Sequence, residues 1–72
     1  MSKKWLGDPP FVDSFGDPIT DEFIDGVTAL TRQWAIMTPR SWRLNGIGKL
    51  GTGKGQRYRL QEDFLTWLKV ED

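Results

Sequence analysis

From Thr20 onward the apolar residues fall into runs divided by glycine and charge. In "TDEFIDGVTALTRQWAI", Phe23, Val27, Leu30 and Trp34 recur at i, i+4, i+7 and i+11, with Ile24 alongside. That spacing predicts one face of a helix. Thr20 is a good N-cap, and Asp21 and Glu22 suit a first turn. Two forms fit: one helix with Gly26 inside it, or a short turn and then a helix from about Thr28. Gly26 weakens the first form by about 1 kcal/mol.

"MTPRSWRLNGIG" predicts a second, shorter helix. Thr38 caps it, Pro39 takes the first helical position and Asn45-Gly46 ends it. Trp42 is its core anchor, supported by Leu44 or Ile47. With the tight Met37-Thr38 turn, the two helices outline a helix-turn-helix. "KGQRYRL" alternates instead, with Arg57 and Arg59 on one face and Tyr58 and Leu60 on the other. It predicts a strand whose partner starts at Lys49-Leu50, with "GTGKG" as a hairpin tip. In "EDFLTWLKV", Phe64, Trp67 and Leu68 stand at i, i+3 and i+4, which predicts a C-terminal amphipathic helix.

Residues 1–19 hold Pro9, Pro10 and Pro18 with Gly7 and Gly16, and keep neither period. They predict an extended arm whose Trp5, Leu6, Phe11, Val12 and Phe15 lie on the domain and cover its core. The expected architecture is α+β: a small winged helix-turn-helix over residues 20–72, with two short helices, a glycine-rich β-hairpin wing and a C-terminal amphipathic helix, preceded by the arm.

Composition sharpens this picture. Seventy-two residues make one thin-cored domain. Without cysteine or histidine, disulfides, thiolate metal sites and the usual neutral-pH general base are excluded. Four Trp, four Phe and one Tyr supply the packing. No apolar run reaches membrane-span length, and the start has no signal-peptide pattern, so the expectation is a soluble, cytoplasmic protein.

Charge is segregated although its sum is zero. Residues 32–59 carry Arg32, Arg40, Arg43, Lys49, Lys54, Arg57 and Arg59 and no acid, a block of +7. Residues 1–31 sum to −4 and residues 60–72 to −3. Such a block predicts a basic face. Within it, Gly48 to Lys54 reads G-x-x-x-x-G-K, the start of a phosphate-binding P-loop. Position 55 is glycine where magnesium needs Ser or Thr, and the flanks lack the strand and long helix of that motif. Nucleotide hydrolysis is therefore excluded. Ser14 and Ser41 have no histidine partner, and Asp13, Asp17 and Asp21 do not form a calcium loop. The expectation is a non-enzyme with neither cofactor nor metal.

The basic helix and hairpin read instead as a nucleic-acid surface. Arg40 and Arg43 suit guanine edges in a major groove, Ser41 a base or phosphate, and Thr38 a phosphate. From the wing, Lys49, Lys54, Gln56, Arg57 and Arg59 suit the backbone or a minor groove.

"MTPRSWRLNGIGKL…KGQRYRLQEDFLTWL" resembles the small winged-helix domains of phage and plasmid excisionases, the AlpA regulators and the MerR-type head. Thr38-Pro39-Arg40-Ser41, Gly48-Lys49-Leu50, Arg57-Tyr58-Arg59-Leu60 and Glu62 to Leu68 carry the likeness, over about residues 28–68. The resemblance implies an architectural protein that binds and bends specific double-stranded DNA, alone or self-associated on adjacent sites. It implies an integrase or recombinase as partner in excising a mobile element, or a role in transcription regulation. Two alternatives stand beside it: a small terminase-like DNA-packaging subunit, and a protein-interaction adaptor resting on the aromatic arm and acidic ends.

Overall fold

The structure is a computed structural model that describes Lys4, Trp5, Gly7 and residues 9–70. Leu6, named above in the arm, lies outside the described residues. Four strands and one helix follow in the order β1 (Glu22–Val27), β2 (Trp34–Met37), α1 (Pro39–Asn45), β3 (Gly55–Leu60) and β4 (Trp67–Val70). The strands form one antiparallel sheet in the order β2-β1-β3-β4.

This corrects the winged helix-turn-helix expectation. The first expected helix is the β1–β2 hairpin, and the expected C-terminal helix is a turn followed by β4. The expected wing is not a two-stranded hairpin either. β3 pairs with β1 and β4, and Lys49-Leu50 lies in a loop that tightens into a turn closed by Gly51 and Gly55. Of the expected helices only α1 forms, with Thr38 as N-cap, Pro39 in its first turn and Gly46 at its C-cap.

The physical reason lies in the two faces of β1. Strand alternation puts Phe23 on one face and Ile24 on the other, and both are fully buried. Phe23, Tyr58 and Trp67 form one cluster, covered by Trp5 and Ile19 from the arm. Ile24, Met37 and Trp42 form the other, covered by α1 with Ile47 and Leu50 from the loop after it. A strand buried on both faces loses its polar-apolar alternation, so a helical spacing can be read from it by coincidence. Leu30, assigned to the core by that spacing, is 95% exposed in the β1–β2 turn.

The arm is fixed to the sheet through Trp5 and Ser14, and to the start of α1 through Asp13 and Asp17. Trp5 donates its N–H to the Trp67 carbonyl at 2.9 Å, and its ring meets Phe23 and Tyr58 edge-on at 5.1 and 5.3 Å. Farther along, Ser14 docks on the outer edge of β2, donating to the Ile36 carbonyl and accepting from the Ile36 N–H through its hydroxyl. That contact blunts an otherwise open strand edge.

Candidate nucleic-acid interface

The basic residues come mainly from α1, the loop that follows it and β3. On α1, Arg40 and Arg43 are spaced i, i+3 and exposed. The helix lies against the sheet through Trp42, and that leaves both arginines outside. Lys49 and Lys54 are exposed on the loop, whose Ile47 and Leu50 enter the core beneath α1. The backbone of this loop is tied to the end of β1: Ile47 donates to the Val27 carbonyl, and Val27 donates to the Lys54 carbonyl. Gly51 and Gly53 take left-handed φ values of 131° and 77° in the turn. Arg40, Arg43, Lys49 and Lys54 make no ion pair among the described residues.

On β3, Arg57 and Arg59 share the helix-side face with Glu22 of β1. The Glu22 carboxylate lies 3.8 Å from Arg57 Nε and 3.6 Å from an Arg59 terminal nitrogen. These two cations are thus partly neutralised within the sheet. Gln56 falls on the opposite face, where its carbonyl accepts from the Tyr58 hydroxyl at 3.1 Å. It therefore does not share a face with Arg57 and Arg59.

Thr38 and Ser41 are buried, and their hydroxyls are engaged by the arm. The Thr38 hydroxyl donates to the Asp17 carboxylate and accepts from the Ser41 N–H. The Asp13 carboxylate accepts from the backbone N–H groups of Phe15, Asp17 and Thr38 at 2.8, 2.8 and 2.9 Å, and from the Ser41 hydroxyl. Burial alone would raise the Asp13 pKa. The Ser41 hydroxyl and these three N–H donors outweigh it and hold the carboxyl below its ordinary range. Two arm carboxylates thus occupy the start of α1. A phosphate has no place there, and entry of α1 into a groove by its N-terminus is disfavoured.

Sequence reasoning left Asp13 as a structural carboxylate and missed its hold on the start of α1. Its only signal was "VDSFGDP", an aspartate two residues before an aromatic and close to a glycine, which fits an Asx-type turn. It also missed Asp25, which β1 places on the arm-side face across from Ile36 and Gln56. Burial raises the Asp25 carboxyl, and burial together with the Asp25 charge raises the Tyr58 phenol.

No helix among the described residues is long and apolar enough to cross a membrane. Neither a family model, nor a curated protein, nor a solved structure matches this chain.

Proposed function

We propose that this protein binds double-stranded DNA through backbone phosphates, using α1 and the loop after it. The observation that carries this reading is the set Arg40, Arg43, Lys49 and Lys54: four exposed cations on consecutive elements, drawn from a 28-residue stretch without an acid. Glycines around the lysines let a backbone approach closely. The contact is positional, because α1 spans seven residues and its start is held by Asp13 and Asp17. Binding is then carried mostly by counterion release.

Titrating salt against binding to a random duplex tests this. Four phosphate contacts give a slope of log K against log salt of about −3 to −4. Folded protein that shows no duplex binding at low salt overturns the proposal.

A second reading, a protein-interaction adaptor, is favoured by one specific observation. Leu30, Leu44, Phe64 and Leu65 are all more than 70% exposed, a large apolar display for so small a surface. A stoichiometric partner retained after nuclease treatment favours this second reading over the first.

A further inference from the structure

Two exposed apolar features lie at opposite ends of β1. The first is a groove formed by Phe15, the Thr28–Thr31 turn and Leu44. It exists because Ala29 donates to the Asn45 carbonyl at 2.8 Å, which brings the turn against the end of α1. Leu30 and Leu44 are 95% and 73% exposed there. The surroundings are cationic. Arg40 lines the adjoining hollow with Phe15 and Leu44, Arg43 neighbours Leu44 on α1, and Arg32 follows the turn. Asp17 also lines that hollow, with its carboxylate engaged by the Thr38 hydroxyl.

The second is the turn between β3 and β4. Its frame is rigid: the Asp63 carboxylate accepts from the Leu65 and Thr66 N–H groups at 2.8 Å each and from the Thr66 hydroxyl at 2.6 Å. Gln61 donates to the Thr66 carbonyl, and Phe64 donates to the Gln61 carbonyl. This frame holds Phe64 at a φ of 58° and leaves Phe64 and Leu65 79% and 78% exposed. The left-handed backbone at Phe64 is strained, and the apolar atoms it holds out to solvent gain burial only when a partner covers them. Its flanks are mainly acidic, with Glu62 and Asp63 beside it and Asp21 accepting from the adjoining Leu60 N–H through its backbone carbonyl, against one nearby cation, Lys4, which acts on Asp63.

We infer that the groove of one molecule receives the Phe64-Leu65 tip of a second copy, so that the protein associates head to tail. Charge argues for this occupant: an acid-flanked apolar tip meets an arginine-flanked apolar groove, and both are on the same chain. The tip adjoins the first residue of β1 and the groove follows its last. Six strand residues, about 20 Å, separate them, so a tip cannot reach its own groove. A contact between two different patches is heterologous, and it propagates as an open chain unless the rotation closes a ring. This inference does not rest on nucleic-acid binding.

Sedimentation velocity of the full chain, without nucleic acid and at low salt, tests it. The weight-average mass is expected to rise above 8.3 kDa with concentration and to fall back in high salt, where charge attraction is screened. Leu44→Asp blocks the groove and Leu65→Asp blocks the tip, so each variant alone stays monomeric. Mixed, the two variants retain one intact groove and one intact tip, and form a dimer and nothing larger. Circular dichroism checks folding, and Leu30→Asp replaces Leu44→Asp if that variant fails to fold. A wild type that stays monomeric from micromolar to millimolar concentration overturns the inference and leaves the groove to another partner. So does a mixture that remains monomeric, or either single variant still growing in mass.

Discussion

The indole of Trp42 stands where a side chain at Gly26 would be. A Cβ built on Gly26 falls 2.6 Å from Trp42 Cζ3, and one built on Gly46 falls 2.1 Å from Cε3. The helix rests on the sheet through this contact. Gly26→Ala therefore forces the ring, and with it α1, away from β1. The expected loss is about 1–3 kcal/mol, the range for overpacking. Trp42→Ala empties the same space at a cost of about 3–5 kcal/mol. Because the two share one space, adding Gly26→Ala to Trp42→Ala costs much less than Gly26→Ala alone, a non-additivity that urea denaturation of the four proteins measures.

Asp13 ties the arm to α1 through a carboxylate held ionised. Its folded-state pKa lies below that of an ordinary aspartate, so the unfolded chain takes up the proton first. The stabilisation is full above the unfolded pKa and is lost as pH falls from about 4 through the folded value. Asp13→Ala strands three N–H donors and is expected to cost about 2–3 kcal/mol at neutral pH. The acid limb of a stability-against-pH curve should be shallower in Asp13→Asn than in wild type; an unchanged limb rejects the assignment.

Asp25 has the opposite sign. Burial raises its pKa, so the folded state binds its proton first and stability falls as pH rises from about 4 through the folded pKa. Asp25→Asn removes that dependence. It should raise the melting temperature at pH 7 and leave it unchanged near pH 3.

Glu22 restrains Arg57 and Arg59. If DNA binds through phosphates, Glu22→Gln removes the negative charge that faces Arg57 and Arg59, and affinity for random duplex should rise roughly fivefold, worth about 1 kcal/mol. Arg40→Ala and Arg43→Ala should each weaken binding and lower the salt slope by about 0.9, with Arg57→Ala milder. Fluorescence anisotropy across a salt series reads both quantities.

Phe64→Gly separates stability from association. Relieving a left-handed backbone is worth about 1–2 kcal/mol, and an exposed ring returns little. Thermal unfolding should therefore show a more stable monomer, while sedimentation shows weaker self-association. A variant that is less stable contradicts the strain; one that associates as strongly as wild type contradicts the use of the tip.

The sequence by itself determined what depends on near neighbours. Thr38, Pro39 and Asn45-Gly46 define α1 because caps and stops act within a turn of the chain. The alternation of Arg57 to Leu60 defines β3, because a strand with one cationic face keeps its period. The acid-free block of seven cations needed no fold to be seen. Tertiary structure decided the rest. Phe23 and Ile24 are buried on opposite faces because the arm covers one side of the sheet and α1 the other, and no local pattern encodes a strand covered twice. Gly26 reads as a weak point in a helix until Trp42 is seen lying on it. Asp13 and Thr38 lie 25 residues apart, so only folding could show that the start of α1 is already held by a carboxylate.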